Sequence, residues 1–105
     1  MTAECEPLQC LNLAFPEMLL EEIVDLCHAL PDIPGFSIFS GVGFGSAIKL
    51  RSTREIVLGR ATVKILVVVA PAERVRALLA ALAQALPTPD IAYWVTPVES
   101  FGRLA

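Results

Sequence analysis

The sequence predicts an α+β domain in which two strand–helix–strand units follow one another, giving a four-stranded antiparallel sheet with both helices on one face. Three observations carry this expectation. Two segments repeat the order strand, proline, amphipathic helix, proline-containing turn, strand. The strand-like runs are short and rich in β-branched or other apolar residues, a pattern that favours strand over helix. A chain of 105 residues, 55% of them hydrophobic, is long enough for one real core and too short for two.

The elements follow in order. Leu8–Phe15 (LQCLNLAF) has apolar side chains on both faces and reads as a central strand. Pro16 suits the first turn of a helix, where its missing N–H is no loss, and Glu17 suits the positive end of the helix dipole. Leu19, Ile23, Leu26, Cys27 and Leu30 recur at helical spacing, with Glu17, Glu21, Glu22 and Asp25 mostly on the other side. PDIPG (31–35) stops this helix, and residues 36–44 form the second strand. Residues 62–69 are the third strand. Pro71 and Glu73 open a second helix with the apolar stripe Val75, Leu78, Leu79, Leu82 and Leu86. PTPD (87–90) breaks it before a final strand over residues 91–98. The order β-α-β-β-α-β is the ferredoxin-like arrangement, and both crossovers are expected to be right-handed. Because two helices cover only one face while the strands are apolar on both, the other face is expected to be buried against copies of the same chain.

Charge is unevenly placed. Within residues 40–64, Lys49, Arg51, Arg54, Arg60 and Lys64 face only Glu55, whereas the remaining three basic residues face ten acids. A basic segment on an acidic body points to an anionic ligand or partner, or equally to a loop kept soluble by charge. No apolar run approaches the roughly 20 residues of a membrane span. The first residues, MTAECEPLQC, have acids and no basic residue, so they do not read as a signal or transit peptide. Three cysteines without CxxC spacing do not form a disulfide framework. A cytoplasmic protein is expected, without membrane insertion.

The stretch SGVGFGSAIKLRSTREIVLGRATVKILVVV (40–69) decides most of the functional reading. It is not a dinucleotide fingerprint: Gly41, Gly43 and Gly45 have the wrong spacing, and the following residues show no clear amphipathic helix. It is not a P-loop either, since no Gly-Lys-Ser/Thr follows. Glycine at every second position of a strand end places all three on one face and bares the backbone there, or marks a bulge. The connection from Ser46 to Ala61 is much longer than a common hairpin and is expected to protrude.

Gly43-Phe44-Gly45, the long basic loop, VKILVVV (63–69) and WVTPVESFGR (94–103) together resemble the nitrogen-regulatory PII superfamily, and the resemblance spans nearly the whole chain in element order. The ending YWVTPVESFGRL is also similar to a smaller PII-like group, domain of unknown function 3240, whose members tend to accompany heavy-metal efflux systems. The resemblance implies a single PII-like domain over residues 1–105, a homo-trimer, and a T-loop at about 46–60 that binds a partner. It further implies a non-enzymatic signalling role, with a small effector, an adenine nucleotide or a small anion, held in clefts between subunits. The effector residues it singles out are Gly43, Phe44, Gly45, Lys64 and Arg103. The partner-binding residues are Lys49, Arg51, Arg54 and Arg60, and the implied partner is a membrane transport protein at its cytosolic face.

The departures matter. Where ordinary PII proteins have Arg-Gln after the Gly-Phe-Gly, this chain has Ser46 and Ala47, and Thr62 stands in place of a family lysine. The phosphate-wrapping loop before the last strand is reduced to PTPD, and only Arg103 of two terminal arginines has a counterpart. The T-loop is shorter and lacks tyrosine. A triphosphate needs several converging donors, so these changes argue against Mg-ATP and 2-oxoglutarate sensing.

Other chemistry has less support. Cys27 and His28 are adjacent on a helix and point about 100° apart, which does not suit one metal ion. Cys27 reads as core and His28 as an exposed helix end. No metal site is assigned, although an accessory metal-tolerance protein binding through Cys5, Cys10, Cys27 and His28 of neighbouring subunits is the alternative, with a purely structural trimer as a third reading. Thr96 and Ser100 have no evident base, so no catalytic residue is expected. The basic loop lacks interleaved aromatics, which excludes nucleic acid as the expected partner. Tyr93 and Trp94 are expected to pack in the core or between subunits.

Overall fold

The computed structural model describes residues 7–46 and 48–105. The order is β1 (Leu8–Pro16), a 3₁₀ turn (Glu17–Leu19), α1 (Leu20–Ala29), β2 (Ser37–Gly43), α2 (Thr53–Leu58), β3 (Ala61–Pro71), α3 (Ala72–Ala85) and β4 (Ala92–Pro97). The strands form one sheet, β2-β3-β1-β4, with every neighbouring pair antiparallel. This is the expected four-stranded arrangement, with one addition: α2 lies within the long connection between β2 and β3.

The two prolines act slightly earlier than expected. Pro16 and Pro71 are the last residues of β1 and β3 and cap the following helical turns with extended backbone (φ −70°, ψ 147° and φ −58°, ψ 149°). A ring-locked φ fits both the end of a strand and the residue before a helix, so one residue type makes both corners.

Alternation along the strands separates the two faces. Leu11, Leu13 and Phe15 of β1 and Leu66, Val68 and Ala70 of β3 are buried against Ile23 and Cys27 of α1 and Val75, Leu78 and Leu82 of α3. Each fully buried aliphatic side chain contributes on the order of 1.5–3 kcal/mol, so this side is the stabilising core. The register places Val63, Ile65, Val67 and Val69 on the opposite face, with Phe39 of β2, Cys10 and Ala14 of β1, and Trp94 of β4. Among the described residues, no helix covers that face. Phe39 is 56% and Trp94 47% exposed, so Trp94 is not a core residue of this chain, and neither is Tyr93 on the helix side. Two edges of it are bordered by other segments: the C-terminal segment brings Phe101 and Arg103 beside Phe36, Val67 and Val69, and Ile48 of the β2–β3 connection lies near Gly43 and Val63.

Candidate functional site

The site is built around the connection between β2 and β3. Gly41 and Gly43 lie in β2 on the open face, but Gly45 lies beyond its end with φ 113°, so the three glycines do not share one face. The bared backbone is also partly filled. A Cβ on Gly43 would stand 3.3 Å from two Ile48 carbons and 3.4 Å from Val63, which leaves no room there for a side chain without movement. Glycine is needed at position 45 because L side chains rarely adopt its φ, and the chain turns there as Ile48 N–H donates to the Gly45 carbonyl at 3.1 Å.

The loop then folds on itself. Ser52 caps α2, its Oγ accepting from Glu55 N–H at 3.1 Å, and Gly59 ends the helix in left-handed conformation (φ 70°) with its N–H bonded to the Glu55 carbonyl. Ser52-Thr53-Arg54-Glu55 is thus a capping-box sequence followed by a glycine C-cap, a sequence signal for α2 that hydrophobic periodicity does not show. The Glu55 carboxylate reaches the backbone on both sides of α2. One oxygen accepts from Arg51 N–H at 2.6 Å and the other from Thr62 N–H at 2.9 Å. These backbone donors, Arg51 first and then Thr62, hold its carboxyl below the ordinary carboxylate range.

The basic residues divide. The Arg51 guanidinium donates to the Lys49 carbonyl at 3.1 Å and pairs with Asp90 at 2.7 Å. Arg51, Arg54 and Arg60 line one hollow of about 520 Å³ with Met18, Val42 and Leu58. Ile56 and Val57 on α2 are strongly exposed, the latter at 78%. The loop therefore presents guanidinium groups next to apolar side chains, which suits a protein surface or an anion better than bulk water alone.

The expected effector residues occupy three places. Phe44 is exposed beside Gly43 and Gly45. Lys64 lies on the helix side of the sheet, between Phe15 and Ser40, and its ammonium donates to Ser40 Oγ at 2.7 Å. Arg103 lines a hollow of about 430 Å³ with Phe36 and Ser37, at the other end of β2 from the glycine corner. Six residues of strand separate Ser37 from Gly43, about 20 Å. A cleft containing both Arg103 and Gly43–Gly45 therefore needs two chains.

The two described cysteines lie on opposite sides of the sheet. Cys10 lies on the open face, Cys27 is 2% exposed, and Cys5 is outside the described residues. Burial pushes the Cys27 thiol up to about 11. His28 packs its ring 5.5 Å from Phe36. Among the described residues, no group of three His, Cys, Asp or Glu side chains could hold a metal ion, and no helix is long and apolar enough to cross a membrane.

Comparison with solved structures places this arrangement among known folds. A DUF3240 family protein from Shewanella baltica OS155 has a TM-score of 0.76 at 27% identity, over 95% of this chain and 99% of that one. CPII from Thiomonas intermedia K12, a nitrogen regulatory PII-like protein bound to ADP, AMP and bicarbonate, has a TM-score of 0.69 at 18% identity, over 96% of this chain and all of that one. A Bacillus cereus protein related to NIF3 has a TM-score of 0.66 at 18% identity, over 94% of this chain but 27% of that one. No curated protein sequence matches significantly. The fold is PII-like and ferredoxin-like, and with residues 5–105 matching "Protein of unknown function (DUF3240)", the chain belongs to the DUF3240 family.

Proposed function

We propose that this protein is a PII-like, non-enzymatic regulator in the cytoplasm that works as a homo-trimer, senses a small effector between subunits, and acts on a partner through its basic loop. The observation that carries the reading is one juxtaposition: an apolar sheet face left open by the chain's own helices, with an arginine-bearing loop rising from the same sheet beside Gly43. Burying Phe39, Ile65, Val67 and Trp94 against other copies removes apolar surface from water and brings the glycine corner of one chain towards the terminal segment of another.

In this reading the effector, an adenine nucleotide or a small anion, lies between Gly43, Phe44 and Gly45 of one subunit and Arg103 of its neighbour. Lys64, bonded to Ser40 on the helix side of the sheet, stands on the other face from this seat. Arg51, Arg54, Arg60 and Lys49 then meet an acidic surface on the partner, a membrane transport protein at its cytosolic face. The CPII structure, with nucleotides and bicarbonate on a similar fold, supports this class of effector. An effector need only bind one loop state better than another to act as a switch.

Isothermal titration with AMP, ADP, ATP and bicarbonate tests the effector. Binding of at least one of these, weakened about tenfold or more in Arg103→Ala, is the expected result, since a lost charged hydrogen bond to a buried anion is worth about 1.5–3 kcal/mol. Silence toward all four, or binding unchanged in Arg103→Ala, would overturn the assignment.

A further inference from the structure

The hollow of about 520 Å³ beside α2 opens on the helix side of the sheet, away from the apolar face that copies of the chain are proposed to share. Val42 and Thr62 at its base pair across β2 and β3 and alternate with the open-face residues Gly41 and Val63. One wall is the 3₁₀ turn, through Glu17 and Met18. The other is α2, through Arg54 and Leu58, which lie one helical turn apart on the same side of the helix. Met18, Val42 and Leu58 are 71%, 53% and 45% exposed, so this apolar lining is in contact with water. The rim is cationic. Among the described residues, neither Arg54 nor Arg60 is in an ion pair. Glu55 is bound to two backbone N–H groups and Arg51 to Asp90, which leaves Glu17 as the other carboxylate of the lining. Lys64 continues the cationic row on the same face of β3, two residues from Thr62. The Glu55 clasp and the two caps of α2 fix this wall before anything binds, so an occupant does not have to order it.

We propose that this hollow is the docking seat for an acidic segment of a partner protein: an apolar side chain of the segment enters between Met18, Val42 and Leu58, and carboxylates beside it meet Arg54 and Arg60. An apolar centre ringed by guanidinium groups has the composition of a protein–protein contact, where arginine is enriched and exposed apolar side chains gain by leaving water. A lone phosphate or carboxylate engages the rim and leaves the apolar lining wet. A flat bilayer meets the outward side of α2, where Val57 is 78% exposed, and does not fill the recess. The seat deepens the loop's role proposed above and rests on that reading. It adds the 3₁₀ turn and the helix side of β2, which the loop alone does not supply.

NMR titration of the isotope-labelled full chain tests the seat. The probes are a capped peptide with one leucine between two pairs of glutamates, and the same peptide with glycine in place of leucine. The leucine peptide should shift the methyl groups of Met18, Val42 and Leu58 and the guanidinium N–H groups of Arg54 and Arg60. It should bind about fivefold or more tightly than the glycine peptide, the gain expected from burying part of one leucine. Met18→Ser, at an exposed position outside the core, should reduce its affinity to that of the glycine peptide. Arg54→Gln and Arg60→Gln should each weaken it about two- to fivefold, the range of exposed charge pairs, and Val57→Ser should leave it unchanged. Equal binding of the two peptides, with shifts confined to the basic residues, would overturn the seat and leave the loop's acidic partner standing. Absence of shifts with either peptide would overturn both. Unchanged affinity in Met18→Ser, or an equal loss in Val57→Ser, would place the contact elsewhere and overturn the seat. Phosphatidylglycerol vesicles that move these methyl groups where the leucine peptide does not would give the hollow to a lipid surface and overturn the proposal.

Discussion

Cys27 shows how position alone sets the chemistry of a residue. It continues the apolar stripe of α1, and its thiol is pushed up from 9.0 to about 11 because the thiolate cannot be solvated there. A folded-state value raised above the unfolded one means that the protonated thiol's contribution is complete below about pH 9 and is lost as pH rises through about 11. Cys27 should therefore resist iodoacetamide at about pH 8 in the folded protein and react once denaturant is added, which mass spectrometry of the labelled peptide would report. Rapid labelling in the folded state would contradict its place in the core. The helical spacing of the stripe was enough to read Cys27 as core from sequence. Asp90 was not readable in that way, because its pairing with Arg51 exists only once β4 lies beside β1 and the turn comes under the loop.

Among the elements, the strand–proline–helix units were the most legible, since period two, period near four and a proline corner all agree over each segment. Boundaries moved by one or two residues where prolines and glycines serve two elements at once: Pro16 and Pro71 end strands rather than sit inside helices, and β2 stops at Gly43. The short helix α2 escaped a periodicity argument because six residues make under two turns. Its Ser52–Glu55 cap and Gly59 stop were the signal available. The Glu55 clasp gives this element a direct test. Its carboxyl is depressed by the Arg51 and Thr62 N–H groups, so the clasp is complete above the ordinary carboxylate range and is lost as pH falls through the lowered value. Glu55→Ala should speed amide exchange at Arg51 and Thr62 and leave the sheet amides protected. Unchanged exchange at Thr62 would show that the clasp does not hold the loop.

The whole molecule has one feature that its own chain does not complete. Among the described residues, eleven buried ones form a core on the helix side, while the opposite side of the same sheet carries Phe39, Ile65, Val67 and Trp94 without a covering helix. That imbalance was legible from strands apolar on both faces combined with only two long helices. The separation of Arg103 from the glycine corner was not, because a terminal segment without regular structure has no period to place it on the sheet. Both features favour the assembly proposed above, in which copies would shelter each other's open faces and their junctions would gather residues that one chain keeps apart. Sedimentation equilibrium at micromolar concentration tests this most directly. The account predicts the mass of three chains, and loss of that mass with retained helical and strand content when Val67 is changed to Asp. A folded monomer of the unaltered chain at that concentration would contradict it.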